Sequence, residues 1–215
     1  MRSLRAKFIV IICIICVICI GLTAGISYGA ASSVMMDSSV RNESLVSEKA
    51  AQEMEKWMQV KGQFLNTVRA GIEIDKSTDY ERLCGQMKCL LEDYNEDGSI
   101  YDIYFTYPDS RMASGSGYES DGTVDFTGRS WYGAAREQDG LVYSAPYLDV
   151  DSGRIVITIS TKVTVGGKAA GVLAEDIFAD ELVEITNKVE MPENSNAILT
   201  DTERAVVVHP NQEYC

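Results

Sequence analysis

Residues 142–178 read VYSAPYLDVDSGRIVITISTKVTVGGKAAGVLAEDIF, and this stretch decides the fold. Residues 142–147 are apolar and aromatic and read as a strand. Asp149-Val150-Asp151-Ser152-Gly153 is built from turn-forming residues and predicts a hairpin. Residues 154–165 set Ile155, Ile157 and Ile159 against Thr158 and Ser160, the period of a half-buried strand. Gly166-Gly167 turns the chain back. A further strand follows over residues 169–178 and runs into a helix over residues 180–188. Upstream, residues 100–107 are rich in aromatic and β-branched side chains and predict another strand. Pro108-Asp109-Ser110 is a turn, and residues 111–114 return from it. Residues 115–128 are polar and glycine-rich, a loop, and residues 131–137 predict a short helix. Downstream, residues 197–200 and 205–209 form a hairpin around Asp201-Thr202-Glu203. Consecutive hairpins of this kind give an antiparallel sheet of about five strands, in an α+β domain.

A long helix precedes the sheet. Met36, Val40, Ala50, Met54, Trp57, Phe64, Leu65, Val68 and Ile72 recur mostly at steps of three and four, so residues 33 to about 73 predict one helix without a proline. The stretch from Glu53 to Trp57, together with Lys61, reads as its outer face. Gly71 and Asp75-Lys76-Ser77 end it. Thr78 with Glu81 three residues later is a capping box, opening a second helix to about Tyr94.

Residues 8–36 carry no charge, and the run FIVIICIICVICIGLTAGISYGA exceeds the ~20 residues that cross a bilayer. Arg2, Arg5 and Lys7 precede it, which keeps the N-terminus cytoplasmic and puts the rest outside. A cleaved signal peptide is the rival reading, but its apolar core is roughly 7–15 residues. The predicted organisation is a basic tail (1–7), a transmembrane anchor (8–30), a stalk helix (31–76), a sheet-bearing module (77–190) and the start of a further module (191–215).

The part beyond the anchor holds all 32 acids and 16 of the 19 Lys and Arg, a formal charge of 16 − 32 = −16. Such a surface repels nucleic acid and anionic headgroups. Cys13, Cys16 and Cys19 lie on one side of the anchor; they line a helix contact, carry lipid, or serve as small apolar fillers. Cys84 and Cys89, five apart on a helix, point to different faces, which disfavours a disulfide. Cys215 ends the chain. No paired C-x-x-C pattern predicts zinc.

Arg129-Ser130-Trp131-Tyr132 carries the chemistry. The Arg129 guanidinium is a planar fork that matches a carboxylate. Trp131 and Tyr132 offer aromatic faces, and cation–π attraction to a desolvated ammonium is worth about 0.5–2 kcal/mol. Tyr147 adds a hydroxyl. Asp149 and Asp176 supply the negative charge that an ammonium needs on leaving water. The set fits a small zwitterion. An arginine that braces a loop and aromatics that fill a core are the plainer reading of the same residues.

Three strings, RSWYGAARE, VYSAPYLDVDSGRIVITIS and GKAAGVLAEDIF, resemble the membrane-distal module of double-Cache sensor domains, found in bacterial methyl-accepting chemotaxis proteins and related receptors. AILTDTERAVVVHPN resembles the strand pair that opens their membrane-proximal module. The resemblance implies a PAS-like sheet behind the long helix, a non-enzymatic receptor, a homodimer formed through that helix, and a small-molecule ligand. In the amino-acid-binding branch, Arg129, Trp131 and Tyr132 would hold the ligand carboxylate and Asp176 its amino group, with Tyr147 and Asp149 lining the pocket. Where that pattern has a tyrosine five positions before the arginine, this chain has Val124, and Tyr118 lies nearby in the same loop. The family also implies a completed second module, a second membrane helix and an output domain beyond Cys215, so the chain is expected to be a fragment or a truncated product.

Other signals are weaker. Asp93-Tyr94-Asn95-Glu96-Asp97-Gly98 begins like a calcium loop, but its twelfth position is Tyr104 instead of a bidentate Glu, so a turn is expected and no cofactor or metal is assigned. His209, the single histidine, precedes Pro210 and reads as structural. Asp149 and Asp151 on their turn read as solvated residues and not as an acid–base pair. The expected function is an extracytoplasmic sensor for an amino acid or amine, serving chemotaxis, a histidine kinase or a cyclic-dinucleotide enzyme. An anchored hydrolase and a purely structural anchored domain are the competing classes.

Overall fold

The computed structural model describes residues 4–119, 122–149, 151–189, 197–200 and 206–208. His209, Cys215 and the turn at 201–203 lie outside them. Two compact units divide the chain at Glu48 and Lys49. The first consists of the N-terminal part of helix α1 (Leu4–Asp75). It is long and apolar enough to cross a membrane, and Ile11, Ile15, Ile18 and Leu22 are all exposed on it.

The second unit is a sheet covered on both faces. Its strands are β1 (Ile100–Thr106), β2 (Met112–Ser114), β3 (Leu141–Tyr143), β4 (Tyr147–Leu148), β5 (Ile155–Val165) and β6 (Lys168–Phe178). All pairings are antiparallel, in the order β2-β1-β6-β5-β3, with β4 also on β5. The hairpins β1–β2, β4–β5 and β5–β6 are as expected. The order is not a run of consecutive hairpins, however, because β6 pairs with β1 and sets these two strands side by side in the middle. Alternation of side chains reveals a strand but not its neighbour. Gly166 and Gly167, with φ of 60° and 77°, make the left-handed turn between β5 and β6. A separate two-stranded ladder joins β7 (Leu199–Thr200) to β8 (Val206–Val208).

One face of the sheet packs Ile103, Phe105, Ile159, Leu173 and Ile177 against Leu65, Val68 and Ile72 of α1 and Leu83 and Met87 of α2 (Tyr80–Tyr94). The other face packs Tyr104, Val172 and Ala174 against Phe126 and against Trp131, Tyr132 and Ala135 of α3 (Ser130–Glu137). Helix α4 (Asp180–Asn187) follows β6. With both faces covered, β5 is buried on both sides from Val156 to Thr161, not half-buried as its alternation predicts. Thr158 and Ser160 are the polar side of that strand, yet α3 and β4 cover them.

Three further local expectations change. The strand expected over 142–147 is two short strands, interrupted at Ser144-Ala145-Pro146, where proline has no N–H to give a ladder. The cap of α2 is Asp79, whose carboxylate accepts from Arg82 N at 3.0 Å, so the helix starts one residue later than a Thr78 capping box requires. Lys61 is not on an outer face: it is buried and bonded to Asp97 at 3.0 Å. The turn before β1 is closed by Asn95, whose side chain accepts from Ile100 N and donates to Ile100 O. Cys84 and Cys89 are both free.

Candidate functional site

A cleft opens on the α3 side of the sheet, with about 420 Å³ of free space, part of it open to solvent. Arg129, Trp131, Tyr147, Asp149 and Asp176 all line it. They come from four places in the chain: the start of α3, β4, the β4–β5 turn and the end of β6.

Arg129 sits in extended conformation just before α3, and its carbonyl accepts the first helical bonds from Tyr132 N and Gly133 N. Its guanidinium makes no hydrogen bond or salt bridge among the described residues. Trp131 is 3 % exposed and packs its ring edge-on to Tyr104 at 5.5 Å. Its carbonyl accepts from Ser160 Oγ at 3.1 Å, which ties α3 to β5.

Tyr132 is the one expected residue that does not line the cleft. Consecutive helical side chains diverge by about 100°, so Trp131 and Tyr132 cannot both face one cleft. Tyr132 is buried behind Trp131, ring centroids 5.9 Å apart, and its hydroxyl has no hydrogen-bond partner among the described residues.

Asp176 is the chemical centre. Its Oδ1 accepts from Thr158 Oγ1 at 2.7 Å and Tyr104 Oη at 3.0 Å. Because Thr158 gives its proton to the carboxylate, Tyr147 Oη donates to Thr158 Oγ1 at 2.7 Å. Burial pushes the Asp176 carboxyl up to about 7, against the pull of those two donors and with the charges of Asp149 and Asp102 adding to the rise. Burial raises the Tyr104 phenol in the same way. Asp149 is 8 % exposed and not a solvated turn residue. Its Oδ2 accepts from Asp151 N, Ser152 N and Ser152 Oγ at 2.7–3.1 Å, which shapes the turn.

The sequence reading missed Tyr101, Asp102, Tyr104, Met112, Phe126 and Asp151 as lining residues. Asp102 had a signal: an acid inside the apolar strand IYDIYFT. It stands directly opposite Asp176 in the β1–β6 register. Two like charges so placed repel, and Asp102 is held by four bonds, from Ser114 Oγ, Ser116 Oγ, Gly115 N and Ser116 N at 2.6–3.0 Å. Burial still raises its pKa. The phenol of Tyr101 donates to Asp151, bridging β1 to the β4–β5 turn. Tyr118 lines the cleft and packs edge-on to Phe126 at 5.9 Å, while Val124 lies against the same apolar cluster outside the lining.

The arrangement offers the Arg129 guanidinium, aromatic walls and buried carboxylates to a small molecule. Comparison with known proteins gives the same fold and a family. Residues 74–184, more than half of the chain, match the family model for "Methyl-accepting chemotaxis protein-like, first PDC sensor domain". The chain is 26% identical over 164 residues to methyl-accepting chemotaxis protein PscA of Pseudomonas syringae pv. tomato, covering 75% of this chain and 25% of that one. It is 31% identical over 149 residues to TlpB of Bacillus subtilis, covering 63% and 21%. The chain thus spans about a quarter or less of the length of these relatives. Among solved structures, the sensory domain of the Campylobacter jejuni chemoreceptor Tlp3 with isoleucine bound superposes with a TM-score of 0.69 at 18% identity, covering 84% of this chain and 74% of that one. The ligand-binding domain of the Pseudomonas aeruginosa amino acid chemoreceptor PctC, in complex with GABA, does so at 0.66 and 17%, covering 77% and 72%.

Proposed function

The chain belongs to the methyl-accepting chemotaxis protein-like family of first PDC sensor domains, and from that premise we propose that it is the ligand-binding part of a transmembrane chemotaxis receptor that recognises a free amino acid. The observation that carries the reading is the pairing, in one cleft, of the Arg129 guanidinium, which has no hydrogen-bond or salt-bridge partner among the described residues, with the buried Asp176 carboxylate. The ligand carboxylate takes the guanidinium fork. The ligand ammonium takes Asp176, with Asp149 beside it and the Trp131 face as a wall. Each charge of the ligand neutralises a charge that is costly to leave unpaired away from water. Ligands bound by the Tlp3 and PctC domains are of this class.

The site is for recognition and not turnover: its groups bind and orient a dipole, and no nucleophile–base pair faces the cleft among the described residues. Residues 8–30 anchor the chain in the membrane, with the sheet on the extracytoplasmic side and a homodimer formed through α1. Ligand-bound and ligand-free states differ in how the sheet holds α1, and the ligand shifts the population between them. The test is a thermal-shift screen of the 215-residue chain in detergent micelles against amino acids and amines. A concentration-dependent rise in the unfolding midpoint is expected. If no compound of either class raises it, the proposed ligand class is wrong.

A further inference from the structure

The charges in the cleft do not balance for a simple zwitterion. Asp102, Asp149, Asp151 and Asp176 line it against one cation, Arg129. Asp102 has both oxygens filled by its four donors and belongs to the wall. The other three each give the protein one oxygen only. Asp149 Oδ2 caps its turn, Asp151 Oδ2 takes the Tyr101 phenol, and Asp176 Oδ1 takes Thr158 and Tyr104. The second oxygen of each has no hydrogen bond among the described residues, and two of these carboxylates are more than nine-tenths buried, at 8 % and 5 % exposure. An α-carboxylate and an α-ammonium satisfy Arg129 and one acid. Acid oxygens remain over, on the side of the cleft where Tyr101 and Asp151 join β1 to the β4–β5 turn.

We propose that the ligand is a cationic amino acid, and that its side-chain ammonium or guanidinium is received at the Tyr101–Asp151 side of the cleft. This rests on the amino-acid reading of the cleft given above. Asp151 is exposed at the rim and joined to Tyr101, so it meets the far end of a ligand whose α-carbon lies between Arg129 and Asp176. A second cation there exchanges water on the exposed Asp151 carboxylate for a charge-assisted bond. The phenol ring of Tyr101 gives the ligand's methylene stem an apolar surface.

Calorimetric titration of the 215-residue chain in detergent micelles with L-lysine, L-arginine and L-norleucine tests this. Norleucine has the length of lysine without its terminal charge. Lysine or arginine is expected to bind at least about tenfold more tightly than norleucine, the scale of a charge-assisted contact in a partly desolvated cleft. Asp151→Asn is expected to narrow that ratio to less than about threefold, and Arg129→Ala to remove binding of all three. Norleucine binding as tightly as lysine or arginine, and losing that binding with Arg129→Ala, overturns the cationic preference and leaves the amino-acid reading standing. Failure of all three to bind overturns the cationic preference, and the amino-acid reading falls with it if no other amino acid raises the unfolding midpoint. A cationic preference that Asp151→Asn leaves intact overturns the assignment of the side-chain contact.

Discussion

Glu175 and Asp176, consecutive in β6, send their carboxyl groups through opposite faces of one sheet. Asp176 lines the cleft. Glu175 pairs in register with Ile103 and Ile159, on the face that packs against α1 and α2. It is fully buried, and neither carboxyl oxygen has a hydrogen-bond partner among the described residues. The charged groups that act on it are Lys61 of α1 and Asp176 itself. The cleft and the long helix are thus separated by the thickness of a single strand.

Glu175 should make stability fall as pH rises. Burial pushes its pKa up to about 8 from an ordinary 4.5, although Lys61 pulls the other way. The folded chain therefore keeps a proton that the unfolded chain gives up first, and the penalty grows between those two values. Glu175→Gln is expected to be close to neutral near pH 4.5 and to gain on the order of 2 kcal/mol at pH 8. Urea unfolding at the two pH values measures it. An equal effect at both would show that the native carboxyl is not held neutral.

Ligand binding should weaken in acid for a different reason. The free cleft holds Asp176 at about 7 through burial, and an ammonium needs the ionised form. A folded-state pKa raised this way leaves half the sites protonated at pH 7. Affinity for an amino acid is expected to drop by about tenfold between pH 8 and pH 6. Calorimetry across that range reads it, and Asp176→Asn should flatten the dependence while weakening binding throughout.

Close packing in the sheet gives a third test. A Cβ built on Gly171 would lie 2.5 Å from the Phe105 ring and 2.5 Å from the Thr106 carbonyl. Phe105 is fully buried and Thr106 O is backbone, so neither yields readily. Gly171→Ala is expected to cost about 1–3 kcal/mol, the range for overpacking a core. Denaturant titration checks it, and an unchanged midpoint would mean that β1 and β6 are less tightly apposed than described.

The ion pair between buried Lys61 and half-exposed Asp97 gives a fourth. Lys61 Nζ lies 3.0 Å from Asp97 and ties α1 to the turn before β1. Lys61→Ala removes that bond and the positive charge that acts on Glu175, and is expected to destabilise by about 1–3 kcal/mol. Lys61→Met keeps an unbranched apolar stem at this buried position and should recover part of the loss.

Much of this was readable in the sequence, for definite reasons. Strands β1 and β5 announced themselves through β-branched and aromatic residues between turn formers, and β6 through the Gly166-Gly167 turn that precedes it. The Arg129-to-Tyr132 string was ambiguous by itself, and it pointed to the cleft only together with Tyr147, Asp149, Asp176 and the resemblance that joins them. Pairing was not legible, since the contact of β1 with β6 spans some 70 residues and leaves no local trace. Nor was the role of Tyr132, because only the rotation of α3 decides which of two adjacent aromatics faces the cleft. Lys61 looked like a surface residue because its partner, Asp97, lies 36 positions away. Asp102 was the missed clue: an acid in mid-strand either is costly or has partners, and here Ser114, Gly115 and Ser116 provide them.

The central claim is that Arg129 and Asp176 hold opposite ends of one dipolar ligand. It is tested most directly by titrating a stabilising amino acid into the wild-type chain and into Arg129→Ala and Asp176→Ala, with heat and unfolding midpoint followed together. The expected result is that both variants unfold as cooperatively as the wild type without ligand and that neither responds to the amino acid. A variant that binds the same amino acid within about threefold of wild-type affinity, less than the loss of one charge-assisted contact, would contradict the claim.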